Sequence, residues 1–112
     1  MSEHDIARGD IWWVSLDPTQ GSEIKKTRPC VVLSHNTLNK LRKTVVVIPL
    51  SSAASSHPPI TVPVTCQKRK VVAVIDQIRA VAKHRLKSKI EPVAKDDLDS
   101  IIKALSTILE MR

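Results

Sequence analysis

Aromatic side chains are scarce in this sequence. It contains no phenylalanine or tyrosine, and its two tryptophans, Trp12 and Trp13, are adjacent. Flat rings on which the bases of single-stranded nucleic acids stack are therefore few. Neighbouring residues of a strand point to opposite faces, so we expect at most one of the two rings in the core and the other exposed. Core packing or a subunit contact is the favoured interpretation for both.

Cysteine, long apolar runs and metal-ligand clusters are also limited. Cys30 and Cys66 form no CxxC pair, and we interpret them as buried or half-buried thiols in strands. The four histidines lack the spacing of a zinc site, so we expect no metal and no other cofactor. No apolar run reaches the roughly 18 residues of a membrane helix, and the first residues do not resemble a signal peptide. These absences predict a soluble cytoplasmic protein without a membrane partner.

Acidic residues are nearly missing from the middle of the chain. The 112 residues include 18 Lys and Arg against 11 Asp and Glu, a net charge of +7. Residues 31–90 carry 11 of the basic side chains and one acid, Asp76. A solvated basic rim is one explanation, but concentration of the charge in one segment favours a polyanion as partner. Four basic clusters lie in segments that we predict as turns: 40–43, 68–70, 83–85 and 87–89.

The hydrophobic pattern predicts a mainly β protein. Short apolar or alternating runs predict strands at 11–16, 30–33, 44–48, 60–64, 71–75, 77–81 and 90–93. Turn-rich segments predict loops at 17–22 and 51–59, and Leu38 marks a short helical turn. From Leu98 to Leu109 apolar residues recur every three or four positions, as in an amphipathic helix. We expect one domain over residues 1–112, a small bent β-barrel of five to seven short strands closed by a C-terminal helix.

An ordered set of short motifs runs through nearly the whole chain. The motifs are RGDIW at 8–12, LDPT at 16–19, GSE at 21–23, TRP at 27–29, VIPLSS at 47–52, DQIR at 76–79 and LSTIL at 105–109. Together they resemble the MazF/PemK family of toxin ribonucleases, nearest to its plasmid-borne PemK/Kid branch. The resemblance implies an SH3-like barrel, a homodimer, and metal-independent, sequence-selective cleavage of single-stranded RNA that leaves a 2′,3′-cyclic phosphate and a 5′-hydroxyl. It also implies a MazE- or PemI-like antitoxin that blocks the RNA groove, and contact with operator DNA only through the antitoxin complex.

Such cleavage needs a proton acceptor for the 2′-hydroxyl, a cation or donor for the phosphorane, and a proton for the leaving oxygen. By the resemblance, Arg28 stabilises the phosphorane and Ser51, where the family usually has threonine, donates to the phosphate or orients the 2′-hydroxyl. Asp76 is the expected base or the residue that orients the arginines, and Glu23 is the alternative base. We expect Arg28, Ser51 and Asp76 to converge in an electropositive groove. A surface ion pair, ordinary loop polarity and a turn aspartate are the structural alternatives.

Two positions depart from the PemK/Kid pattern. Val74 stands where that branch has a catalytic arginine, and Ser22 stands where it has a histidine, so the proton donor is not assigned. Serine at 51 keeps the hydroxyl of threonine but loses a methyl group, and we expect activity to survive at a reduced level.

The strand of RNA is expected to contact seven further polar residues. These are Ser52, Gln77, Arg79, Asn39, Lys25, Lys26 and His57. Two alternatives lie in other classes: a noncatalytic basic nucleic-acid-binding module and, less favoured, a CcdB-like gyrase poison. The gyrase poisons end in Trp-Gly-Ile, whereas this chain ends in Glu110, Met111 and Arg112.

Overall fold

The structure is a computed structural model that describes residues 6–16 and 26–111. It contains strands β1 (Asp10–Ser15), β2 (Thr27–Val32), β3 (Thr44–Ser51), β4 (Thr61–Cys66), β5 (Arg69–Val74), β6 (Arg79–Ala82) and β7 (Leu86–Pro92). A short helix, α1 (Asn36–Leu41), precedes β3, and a longer helix, α2 (Lys95–Ile108), follows β7. The predicted mainly β fold with a C-terminal helix is confirmed, and α1 confirms the helical turn around Leu38.

All pairings in the sheet are antiparallel, and β3 is the strand on which the sheet bends. The strands are ordered β4-β5-β3-β2-β1-β7, with β6 paired to β3 off this path. The first half of β3 pairs with β6 and its centre pairs with β2. Its last residues, Leu50 and Ser51, leave these partners and pair with β5. One eight-residue strand therefore serves three neighbours, and the sheet curls into a half-barrel.

The sheet has a core on each face, which explains why several strands are continuous apolar runs. The helix-side core contains Ile11 and Ile48 of the sheet together with Ile101 and Ala104 of α2. The second core contains Trp12, Val14, Cys30, Val45, Val47, Val81 and Leu86, among others. Successive residues of β1 thus enter different cores, as the two-residue period of a strand requires.

The edge strand β4 is closed by side chains from elsewhere in the chain. The backbone N–H of Thr65 donates to Asp97 Oδ2 at 3.0 Å, and that of Gln67 donates to Glu91 Oε2 at 2.7 Å. Pro63, two residues earlier on the same edge, has no N–H. A row of free N–H groups on an edge strand favours pairing with other chains. Here the N–H groups of Thr65 and Gln67 are hydrogen-bonded and Pro63 has none, so this edge offers few free donors.

The chain between β6 and α2 differs most from the prediction. Lys87 and Lys89 lie within β7 and not in a turn, and β7 begins at Leu86, four residues before the predicted start. The start of β7 has no apolar pattern in the sequence, because only Leu86 of its first four residues is buried. A second difference lies just before β6, where Gln77 belongs to a 3₁₀ turn, Ile75–Gln77, and not to the strand predicted there.

Candidate functional site

A cavity opens where β2 and β3 diverge. Their ladder ends with Cys30 opposite Pro49; beyond it β3 turns to β5, while β2 stays paired with β1 as far as Thr27. Pro29 and Pro49, which cannot donate to a ladder, stand at this point. The divergence leaves an open cavity of about 310 Å³ with Leu50 and Cys66 of the helix-side core in its wall. This volume is at the lower end of the range of ligand pockets, about 300–1,000 Å³.

The cavity is electropositive. Of the described residues that line it, three are cationic, Lys26, Arg28 and Arg69, and none is acidic. Ser52 and Gln67 add polar groups. Trp13 also lines the cavity, and 37% of its surface is exposed. Such a lining suits a molecule that carries negative charge and a flat apolar part.

Arg28 and Arg79 both lie close to the Cys30 thiol. Burial raises the pKa of Cys30 to about 12, and the positive charges of Arg79 and Arg28 oppose that shift. Arg28 comes from β2, two residues before Cys30, whereas Arg79 comes from β6, opposite Val47 of β3. Within the described part of the chain, neither guanidinium is paired with a carboxylate. Both positive charges therefore act on the Cys30 thiol without a paired carboxylate among the described residues.

The two adjacent serines have different surroundings. Ser51 is buried, and its Oγ accepts the backbone N–H groups of Ala53 and Ala54, each at 3.2 Å. The last pair of the β2–β3 ladder is Cys30 and Pro49. Arg28 and Ser51 each lie two residues beyond this pair on their own strands, so both are at the same end of the sheet. Ser52 is exposed and lines the cavity, whereas Ser51 does not. Ser51 therefore holds the turn that presents Ser52.

Asp76 does not line the cavity with Arg28. It is exposed in the 3₁₀ turn between β5 and β6, and this turn packs against α2 and β4. Among the described residues its carboxylate has no hydrogen-bond or ion-pair partner. The expected convergence of Arg28, Ser51 and Asp76 is thus not observed at this cavity: Asp76 is exposed in a turn that packs against α2 and β4.

Of the expected RNA contacts, one is ruled out by burial. Asn39 is 1% exposed; its Nδ2 donates to the Ser34 carbonyl at 2.9 Å, and its Oδ1 accepts the Ser34 hydroxyl. The amide thus fixes the turn before α1 and has no surface left for a base. The expectation that Asn39 reads RNA is wrong for this reason.

The other expected contacts are spread around the molecule. Lys26 lines the cavity, and Gln77 and Arg79 are half-buried. His57 is exposed in the loop before β4, where its backbone N–H donates to Thr61 Oγ1 at 2.6 Å. Glu23 and Lys25 lie outside the described residues, as does Ser22.

Among the cavity residues that were not predicted as site residues are Trp13, Gln67 and Arg69. The sequence-based interpretation of Trp13 was core packing or a subunit contact, although its alternation with Trp12, which is buried, already indicated that one ring faces outward. Gln67 and Arg69 belong to the β4–β5 hairpin, in which Gln67 and Lys68 have positive φ angles of 52° and 64°. These angles fit a type I′ turn, but the turn lacks the glycine or asparagine that signals one in a sequence.

Two further properties concern the described residues as a whole. Within residues 6–16 and 26–111, no three His, Cys, Asp or Glu side chains are grouped so that they could hold a metal ion. Of the helices in these same ranges, none has the length and apolar character needed to cross a bilayer.

Comparison with known proteins gives consistent matches. The family described as "PemK-like, MazF-like toxin of type II toxin-antitoxin system" matches residues 7–109. The Endoribonuclease MazF of Staphylococcus epidermidis is 32% identical over 109 residues, which cover 93% of this chain and 91% of the relative.

Solved structures share the fold. MazF from Deinococcus radiodurans matches with a TM-score of 0.85 at 23% identity, over 95% of this chain and 97% of that chain. An endoribonuclease from Mycobacterial species, solved with its cognate antitoxin, matches with a TM-score of 0.77 at 20% identity, over 96% and 95% of the two chains.

Proposed function

Since the chain belongs to the PemK-like, MazF-like toxin family of type II toxin–antitoxin systems, we propose that it is an endoribonuclease toxin that cleaves single-stranded RNA at selected short sequences. The observation that supports this proposal is the open cavity lined by Lys26, Arg28 and Arg69. Its charge suits a phosphodiester backbone, and its exposed Trp13 suits an unpaired base.

The proposed reaction is an attack of the 2′-hydroxyl on the adjacent phosphorus. The O2′–P bond forms and the P–O5′ bond breaks, which yields a 2′,3′-cyclic phosphate and a 5′-hydroxyl. A base takes the 2′-hydroxyl proton, and an acid supplies a proton to the leaving O5′. Proton transfer and charge stabilisation by side chains are sufficient for this step, so the proposed activity is independent of added metal.

Arg28 has the role of stabilising the phosphorane. A guanidinium binds two phosphate oxygens at once through charge-assisted hydrogen bonds, and it stays protonated at physiological pH. Arg28 is therefore not the base. Arg79, whose charge also acts on Cys30, adds positive potential outside the cavity lining.

The hydroxyl group that donates to a phosphate oxygen is assigned to Ser52, with Ser51 positioning it. Ser52 lines the cavity, while Ser51 holds the turn through the amides of Ala53 and Ala54. This differs from the sequence-based assignment of the catalytic hydroxyl to Ser51.

Glu23 is the favoured base. It precedes the cavity residue Lys26 by three positions, whereas Asp76 lies outside the cavity lining. Val74, at the position of the branch's catalytic arginine, is buried in β5 and supplies no proton. The pH–rate profiles of Glu23→Gln and Asp76→Asn separate the two carboxylates, because loss of the base removes the acidic limb of the profile.

The rest of the RNA strand is proposed to follow the positive surface on either side of Arg28. Lys25 and Lys26 contact phosphates at one end, and Gln77, Arg79 and His57 contact the strand further along. Selectivity for sequence arises from hydrogen bonds to the edges of unstacked bases.

The proposed partners follow from the family. A MazE- or PemI-like antitoxin covers the cationic cavity, and operator DNA is contacted only through that complex; the mycobacterial relative was solved with its cognate antitoxin. The toxin acts in the cytoplasm as a homodimer. Exposed Ile60, Leu109 and Met111 supply apolar surface for a subunit contact, since the apolar side of α2 packs on its own sheet. Light scattering at micromolar concentration should give twice the mass of the chain, and a monomeric mass contradicts the dimer.

The decisive experiment is incubation of the purified protein with a mixed pool of single-stranded RNA in EDTA. We expect fragments with 2′,3′-cyclic phosphate and 5′-hydroxyl ends, and sequencing of these ends gives the recognised sequence. RNA that is bound in a salt-dependent manner but stays intact indicates a noncatalytic module. Linear DNA accumulating in a gyrase assay, with RNA intact, indicates a gyrase poison.

A further inference from the structure

Trp13 is a large apolar side chain that the fold leaves half in solvent. Its exposed fraction is 37%, while that of Trp12, one residue earlier, is 1%. The sequence has no other aromatic residue besides these two tryptophans. Trp13 is therefore the one tryptophan ring that a ligand can reach, and no phenylalanine or tyrosine competes with it.

The backbone under Trp13 is part of a paired strand. β1 is paired on both sides, and Trp13 lies opposite Pro29 of β2 and Ser88 of β7, with shifts of the β1–β7 register on either side of it. Neither neighbour is long enough to cover an indole ring: proline is compact and serine is short. The ring is consequently held in a fixed position on a strand and not on a flexible loop, which keeps the entropic cost of binding to it low.

The surroundings of Trp13 define the kind of ligand. The same cavity contains Arg28 and Arg69, which suit phosphates, and Ser52 and Gln67, which can donate to or accept from a base. Among its described lining residues no carboxylate would repel an anion. A nucleotide combines negative charge with a flat ring, and this combination matches the lining better than a protein side chain does.

We infer that Trp13 is the stacking platform for one base of the RNA strand, at a nucleotide next to the phosphate bound by Arg28. The inference rests on the proposed function and adds to it a residue that binds and positions the substrate. Stacking fixes the base and, through it, the position of the scissile phosphate against Arg28. Because every base has a flat face, Trp13 sets the spacing of the strand, and polar neighbours such as Gln67 select the base.

Binding is measured with an RNA of about eight nucleotides that carries the cleaved sequence and 2′-O-methyl groups, which block the attacking oxygen. We expect Trp13→Leu to raise the Kd about 5- to 150-fold, the range for loss of one stacked base, and Trp13→Phe to raise it less. In the wild type, RNA binding should quench the fluorescence of Trp13, since Trp12 is out of reach. Leu41→Ala, an exposed apolar residue of α1 outside the cavity, is the matched control and should leave the Kd unchanged.

Abasic nucleotides identify the stacked base. Removing one base at a time should weaken binding by the wild type at one position next to the cleaved bond. At that position, Trp13→Leu should show no further loss, because the ring and the base act as a pair. Equal losses for both proteins at every position overturn the inference.

The remaining outcomes separate this inference from the proposed function. If the wild type neither binds nor cleaves RNA, the proposed function fails. If the wild type cleaves RNA and Trp13→Leu does so with the same Kd and kcat/KM, only the stacking role fails. If Trp13→Leu turns a dimer into a monomer, or loses a protein partner while keeping RNA affinity, Trp13 is an interface residue and the inference is wrong.

Discussion

Trp13 and Arg28 line one cavity from adjacent strands of the sheet. The β1–β2 register sets Trp13 opposite Pro29 and Val14 opposite Arg28, so the two residues are one step apart in the ladder. The cavity therefore offers a cation for a phosphate and a ring for a base. The cavity exists because β3 leaves β2 at Pro49 and turns to β5.

The two serines at the end of β3 should respond differently to removal of their hydroxyl groups. Ser51→Ala deprives the N–H groups of Ala53 and Ala54 of their acceptor, and we expect the free energy of unfolding to fall by about 1 kcal/mol. Ser52→Ala should leave stability within about 0.5 kcal/mol of the wild type and slow RNA cleavage. Urea unfolding and single-turnover cleavage measure the two effects. Loss of cleavage in Ser51→Ala without loss of stability would show that Ser51, and not Ser52, supplies the catalytic hydroxyl.

Arg69 should contribute to RNA affinity through a phosphate contact. Each phosphate contact to a single strand adds about 0.7 to the slope of log K against log salt concentration. Arg69→Ala should therefore weaken binding and make this slope shallower by about 0.7. Lys103→Ala, an exposed cation on α2 away from the cavity, is the control and should change neither quantity. A wild-type slope in Arg69→Ala means that this side chain does not reach the RNA.

The carboxylate of Glu91 should stabilise the fold by closing the β4 edge. Its Oε2 accepts the N–H of Gln67, which lies at the tip of the hairpin that carries Arg69. We expect Glu91→Ala to lower the free energy of unfolding by about 1 kcal/mol, and Glu91→Gln, which retains an acceptor oxygen, to lower it less. Urea unfolding distinguishes the variants. Equal stability of all three proteins contradicts a role for this bond in closing the edge.

The Cys30 thiol should make the protein less stable in alkali. Its pKa is raised to about 12 in the folded state from an ordinary value of 9.0, chiefly by burial. The unfolded chain therefore loses this proton first as the pH rises. The stabilisation is complete below about pH 9 and is lost as the pH rises toward about 12.

The measurement is the change in unfolding free energy between about pH 8 and about pH 10. The decrease for the wild type should exceed that for Cys30→Ala by about 1 kcal/mol, since all other titrating groups are common to both proteins. The comparison uses the pH dependence and not the absolute stability, which the substitution also lowers by leaving a cavity. Parallel pH dependences contradict the raised pKa.

Most of the fold is predictable because burial on both faces makes the central strands continuous apolar runs. The runs at 44–48 and 71–75 are found in β3 and β5, and the helical period from Leu98 onward is found in α2. Only the end of β7 falls within the predicted strand at 90–93. Its first part could not be predicted, because an edge strand with exposed Lys87 and Lys89 has no apolar alternation. Its pairing with β1 is a tertiary contact that a local pattern does not contain.

The site is predictable only in part for the same reason. Arg28 lies just before the predicted buried strand at 30–33, so the sequence places it near a strand end, and the cavity lies at that end. The positions of Asn39 and Asp76 depend on tertiary contacts. The side-chain amide of Asn39 is hydrogen-bonded to Ser34, and the turn that contains Asp76 packs against α2. Arg69 joins the site because the β4–β5 hairpin and β2 line the same cavity, which no local motif indicates.

The cleavage rate of Arg28→Ala tests the central claim most directly. It should be measured in a single turnover, in EDTA, with the RNA fully bound and the circular dichroism of the variant matching the wild type. We predict a decrease of about 100-fold or more, and a smaller decrease for Arg28→Lys, which keeps the charge but not the planar fork. An Arg28→Ala protein that cleaves RNA at the wild-type rate would show that the divergence of β2 and β3 is not the active site.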